Sequence, residues 1–108
     1  MWKSIITLSA LTNYLLIEAD AIANTAKKLD ESEVENAFKI LKSCFKNKGK
    51  LITSGVGKSG IVARKIAATF SSLGITAIYL NPLDALHGDL GIAAQNDVAI
   101  LLSNSGET

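Results

Sequence analysis

Apolar residues recur at steps of three and four from Ile5 through Leu8, Leu11, Leu15, Ala19, Ile22, Ala26 and Leu29, a spacing that predicts one long helix. Ile6, Leu16, Ile17 and Ala23 widen that stripe beyond what one small core needs, so the helix is expected to pack on another subunit as well as on its own domain. Trp2 and Tyr14 read as packing residues. Near Asp30 the first helix should end and a second begin, because Ser32 and Glu35 have capping-box spacing just ahead of Val34, Ala37, Phe38, Leu41 and Phe45. Asn47 and Gly49 are expected to close it, as residues that tolerate the left-handed conformation do after a helix.

Beyond residue 50 the pattern changes. Three short apolar runs, Leu51–Thr53, Ala77–Leu80 and Val98–Leu102, predict strands. Between the first two lies a helical stripe of Val62, Ile66, Phe70 and Leu73, widened by Ile61 and stopped at Gly74. Strands that are apolar on both faces and joined by helices indicate a parallel sheet built from βαβ crossovers. Pro82–Gly91 is less regular and holds the only proline and the only histidine; a helical turn over Asp84–Leu86 is expected there, then a loop. The division expected is a helical segment over 1–48 and an α/β segment over 49–108. The chain ends in Ser103-Asn104-Ser105-Gly106-Glu107-Thr108, where another helix should start, and a third parallel strand with an uncovered edge invites association. The expectation is an incomplete domain, the first part of a longer one or one completed by a partner.

Composition narrows the class. A 48% apolar chain of 108 residues fits one globular unit, and a net charge of +1 gives no reason to expect nucleic acid or an anionic membrane. The single cysteine, Cys44, permits no intrachain disulfide and reads as a small apolar helix residue. Lys39, Lys42 and Lys46 read as a solvated face. The first twenty residues place a lysine before an apolar stretch, but Ser4, Thr7, Ser9, Thr12 and Asn13 interrupt it, which suits neither a membrane span nor a signal peptide. A cytoplasmic protein is expected.

The candidate chemistry starts where the first strand ends. Gly55, Gly57 and Gly60 spell GxGxxG between a strand and a helix, with Lys58 and Ser59 inside the loop, so backbone N–H groups, a cation and a hydroxyl meet at a helix N-terminus suited to an anion. A dinucleotide site would also want an acid at the end of the second strand; that end reads Leu80-Asn81-Pro82, with Asp84 arriving late. Gly57-Lys58-Ser59 imitates the end of a nucleoside-triphosphate loop, but the first glycine of that pattern would fall on Ile52. The third strand ends in a second cluster, Ser103, Asn104, Ser105, Gly106 and Thr108, whose hydroxyls and amide suit a phosphorylated, hydroxyl-rich ligand. One helix cap would need only one of those hydroxyls. Ligands of open α/β sheets bind at the carboxyl ends of strands, where both clusters lie. His87 leaves from the same sheet edge in Leu86-His87-Gly88-Asp89-Leu90-Gly91, with Asp89 available to orient its ring.

Taken together, GVGKSG, NPLDALHGDLG and SNSGET resemble the sugar-isomerase (SIS) domain, and within it the D-arabinose 5-phosphate isomerases. The resemblance runs through essentially the whole chain and about the first half of that domain. It implies a three-layer open parallel α/β sheet, flavodoxin-like or Rossmann-like, preceded by helices. The implied reaction is interconversion of D-ribulose 5-phosphate and D-arabinose 5-phosphate, a supply of Kdo for lipopolysaccharide or capsule, with no cofactor or metal. The alternative within the same resemblance is a non-catalytic phosphosugar-binding module of the regulatory kind. By match to the family's motifs, Ser103, Asn104, Ser105, Gly106 and Thr108 would cradle the phosphate. Lys58 would stabilise a developing oxyanion, His87 would contact sugar hydroxyls or handle a proton, and Gly55, Gly57 and Ser59 would allow close backbone approach. Relatives often carry a histidine where this chain has Asn81, so a zinc site there is not carried over. The family's later acidic and histidine residues are expected beyond Thr108, so these 108 residues by themselves are expected to be inactive. A homo-oligomer, dimer or tetramer, is the expected assembly, with a sugar phosphate as ligand and neither nucleic acid nor membrane as partner.

Overall fold

The structure, a computed structural model, describes residues 2–107. It divides into two compact units, one ending at Asn36 and the other beginning at Ala37. In the first, the expected single helix is two: α1 (Trp2–Ile5) and α2 (Leu8–Lys28). Thr7 breaks the run by taking an extended backbone, and its hydroxyl accepts the Ala10 N–H at 3.1 Å. A threonine cap there wins over the apolar periodicity that runs through it. No residue of α2 is buried; Leu8, Leu11, Leu15 and Ile22 all stand more than half exposed.

The next helix, α3 (Glu31–Lys46), is capped by Asp30 rather than Ser32. The Asp30 carboxylate accepts the Glu33 N–H at 3.0 Å, and the Ser32 hydroxyl donates to the same oxygen at 2.5 Å. Those two bonds, the Ser32 one foremost, hold Asp30 below the usual carboxylate range. The second half of α3 belongs to the second unit. Cys44 is 2% exposed, with its thiol 3.5 Å from the Lys50 carbonyl, and the Phe45 ring meets Phe70 at 6.3 Å between centroids. After α3, Lys48 takes the left-handed conformation at φ 59°. Gly49 is needed for another reason: a Cβ on it would lie 2.1 Å from the Asn96 carbonyl oxygen.

The second unit continues as β1 (Leu51–Gly55), α4 (Lys58–Ser72), β2 (Ala77–Tyr79), α5 (Pro82–Leu86), a 3₁₀ turn over Asp89–Ile92 and β3 (Val98–Leu102). All strands are parallel, in the order β2-β1-β3, with Leu51 opposite Ala77 and Val98, and Gly55 opposite Leu102. The central strand β1 is buried throughout. Its Thr53 hydroxyl donates to the Ala63 carbonyl of α4 at 2.7 Å, which fixes one face of the sheet under α4. By alternation Ile52 and Ser54 turn to the other face, where the Ser54 hydroxyl donates to the Leu80 carbonyl at 2.6 Å. The same alternation turns Ala99 and Leu101 of β3 to that second face, and both are exposed.

Helix α4 buries its expected apolar stripe only in part, with Ile66 and Phe70 half-buried. Gly60, Ala63 and Ala67 are its buried residues, while Ile61, Val62 and Leu73 are half exposed or more. Small side chains bring the helix axis close to the sheet, and the larger ones are displaced to its flanks. Its end is as expected: Gly74, at φ 84°, and Ile75 return their N–H groups to Ser71 and Phe70 in a Schellman arrangement. At the amino ends of β1 and β3, Asp97 accepts the Lys50 and Ala94 N–H groups, each at 2.8 Å, and pairs with the Lys50 ammonium. The ammonium bond first, and then the Lys50 N–H, pull the Asp97 carboxyl down to about 2.

Candidate functional site

At the carboxyl end of β1 the chain turns sharply at Gly57, whose φ of 62° favours glycine, and Lys58 opens α4. The turn is tight because two glycines let helix and strand touch. A Cβ on Gly55 would lie 2.8 Å from the Ser59 carbonyl carbon, and one on Gly60 would lie 2.6 Å from the Gly55 carbonyl oxygen. The Gly60 and Ile61 N–H groups bond to the Gly57 carbonyl at 3.0 and 3.3 Å. The first N–H groups of an α-helix have no intrahelical acceptor, so the opening turn of α4 presents positive potential together with the Lys58 ammonium.

Gly55 is paired with Leu102, so the segment after β3 emerges beside this turn. That segment folds on its own hydroxyls: Ser103 Oγ accepts the Gly106 N–H at 2.8 Å, and Ser105 Oγ accepts the Glu107 N–H at 3.2 Å. Gly106 takes φ 78°. The two turns enclose an open depression of about 590 Å³ lined by Lys58, Ser59, Val62, Leu102, Ser103 and Asn104, with Leu101 at its edge. A second hollow of about 290 Å³ adds Val56 and Ser105 to Ser59, Leu102, Ser103 and Asn104. Lys58, Ser59, Ser103, Asn104 and Ser105 are thereby brought together. Gly55, Gly57 and Gly106 shape the two turns from within, and Thr108 lies outside the described residues. A depression of similar size along α2, about 670 Å³, is lined by Thr7, Leu8, Ser9, Ala10, Thr12, Asn13 and Leu16 and has no ionisable side chain to hold a phosphate.

His87 sits apart from both hollows. It is exposed at the end of α5, and its Nδ1 bonds the Leu83 carbonyl at 2.7 Å. The carbonyl only accepts, so Nδ1 carries the hydrogen of that bond. Asp89 opens the 3₁₀ turn after Gly88, which takes φ 116°. Asn81 caps α5, its side-chain oxygen accepting the Leu83 N–H at 2.9 Å, with Pro82 in the first helical position. Among the described residues no three His, Cys, Asp or Glu side chains lie close enough to hold a metal ion.

Three residues near the turns escaped the sequence reading. Tyr79 donates its hydroxyl to the Gly55 carbonyl at 3.0 Å, and the Arg64 guanidinium lies 4.5 Å above the Tyr79 ring. Glu107 adds a carboxylate to the turn after β3. The only sequence signal for Glu107 was its place inside the polar cluster; for Tyr79 and Arg64 there was none.

Residues 44–108 match the SIS domain family. The chain belongs to that family. It is 39% identical over 101 residues to the arabinose 5-phosphate isomerase KpsF of Escherichia coli O6:H1, covering 94% of this chain and 30% of the relative. Its fold matches a Bacteroides fragilis protein assigned as a phosphosugar isomerase involved in capsule formation, at 41% identity and TM-score 0.85, over 94% of this chain and 52% of the other. It also matches an E. coli CFT073 protein solved in complex with arabinose 5-phosphate, at 40% identity and TM-score 0.76, over 95% and 55%. The chain thus spans about half the length of these solved SIS chains and under a third of the curated relative. No helix among the described residues is long and apolar enough to cross a membrane.

Proposed function

We propose that this SIS chain carries the sugar-phosphate-binding part of an aldose–ketose isomerase that interconverts D-ribulose 5-phosphate and D-arabinose 5-phosphate. The observation that supports it most is the meeting of Lys58 and Ser59 with Ser103, Asn104 and Ser105 around two hollows that share Ser59, Ser103 and Asn104 at the ends of paired strands. In this reading the turn after β3 takes the phosphate through hydroxyls and N–H groups. The opening turn of α4 faces the sugar.

The chemistry follows from the substrate. Moving the carbonyl between C1 and C2 requires removing a proton from the carbon beside it and stabilising the enediol oxygen that gains charge. Lys58, a cation at a helix N-terminus, suits the second task. Glu107 is a carboxylate on the phosphate-side turn and suits the first; His87, apart from both hollows and bonded to the Leu83 carbonyl, is given no part in this step. The exposed apolar face of α2 is assigned to self-association, as a dimer or tetramer. Supply of a precursor for lipopolysaccharide or capsule is the metabolic setting proposed.

Calorimetric titration tests the reading. D-arabinose 5-phosphate should bind, and more tightly than inorganic phosphate, because the hollow offers contacts to the sugar as well as the anion. Equal affinity for the two ligands, or none for either, would contradict the assignment.

A further inference from the structure

Tyr79 is the last residue of β2 and pairs with Thr53, so it shares the sheet face that α4 covers. From there its hydroxyl reaches across to β1 and donates to the carbonyl of Gly55, the last residue before the glycine turn. The same hydroxyl would stand 3.0 Å from a Cβ at Gly60, so a side chain at that helix position would crowd the phenol. One turn further along α4, Arg64 lays its guanidinium on the ring, closing the phenol between strand end and helix. A phenylalanine would fill the same place beneath Arg64. It would leave the Gly55 carbonyl without this donor.

We propose that Tyr79 is a positioning residue for the sugar side of the site: its hydroxyl fixes the Gly55 carbonyl and thereby the path of the turn that presents Lys58 and Ser59. This rests on the functional reading above. Two features make the role specific to that turn. The segment 103–107 is braced by its own serines, Ser103 to Gly106 and Ser105 to Glu107, and does not depend on Tyr79. The turn at Gly57, in contrast, carries no side-chain cap for α4, so its course depends on backbone contacts and on what holds Gly55. Loss of the hydroxyl should therefore weaken recognition of the sugar and spare recognition of the phosphate.

The test is Tyr79→Phe in the 108-residue chain, read in two ways. Amide hydrogen exchange at Gly60 and Ile61, whose N–H groups bond the Gly57 carbonyl, should quicken about tenfold, while exchange at Leu51 and Val98 stays unchanged. Affinity for D-arabinose 5-phosphate should fall about tenfold, with affinity for inorganic phosphate unaltered. Unchanged exchange at Gly60 and Ile61 would overturn the hold of Tyr79 on the turn and leave the functional reading intact. An equal fall for both ligands would overturn the assignment to the sugar side. Failure of the unsubstituted chain to bind the sugar phosphate at all would overturn the functional reading, and the site assignment of Tyr79 with it.

Discussion

Lys58 and Gly60 stand two residues apart and should respond to substitution in opposite ways. The Lys58 side chain is exposed at the start of α4, and its proposed work is all toward ligand. Lys58→Ala should leave Tm unchanged in thermal melts and weaken D-arabinose 5-phosphate binding roughly 10- to 100-fold in calorimetry, the usual worth of a hydrogen bond from a charged donor. Gly60→Ala should damage the fold itself. Its Cβ would press on a backbone oxygen, which cannot swing aside as a side chain can, and denaturant unfolding should show a loss of about 1–3 kcal/mol. The glycine fingerprint was legible in the sequence because both its turn and its close approach need residues without Cβ. Tyr79 was not, since a tyrosine at a strand end also satisfies ordinary strand preference and only the fold reveals the carbonyl it reaches. His87 was legible as a chemical group, but its nearest bond is the local one to Leu83, which sequence spacing does not disclose.

Among the elements, the sheet owes part of its order to the clamp between Lys50 and Asp97 at the amino ends of β1 and β3. Folding favours the ionised Asp97, so its contribution is full above about pH 4, the ordinary carboxylate value. It is lost as pH falls toward the folded value of about 2. Melting temperature followed from pH 5 to pH 2 should therefore decline, and Asp97→Asn should lower Tm at pH 7 and flatten that decline. An Asp97→Asn profile parallel to that of the parent chain would contradict the clamp. The three strands and their parallel pairing were legible from apolar runs separated by a helical pattern. Two details were not. Capping by Thr7 divides the run that periodicity joined into one helix, and the boundary expected near Asp30 is capped by Asp30 itself rather than by Ser32. The fully buried face of α4 is that of Gly60, Ala63 and Ala67, with Ile66 and Phe70 of the expected stripe half-buried beside it, because close approach to a sheet selects small residues over large ones.

At the scale of the whole molecule, α2 is a 21-residue helix without a single buried residue. Apolar burial is what ordinarily stabilises a helix in water, and the proposal that another copy of the chain covers this face follows from that. Sedimentation should show concentration-dependent assembly, and Leu11→Glu with Leu15→Glu should shift it toward monomer; a monomer at all concentrations would contradict the assignment. The SIS fold itself was legible from three motifs because each marks a strand end, and parallel pairing carries neighbouring strand ends to one edge of the sheet. The central claim is that two of these ends form one sugar-phosphate site. Titrating the ¹⁵N-labelled chain with D-arabinose 5-phosphate tests it most directly: amide shifts should concentrate at residues 56–60 and 103–107 and saturate together. Shifts confined to one of these turns, or gathered along residues 7–16 of the first unit, would contradict it.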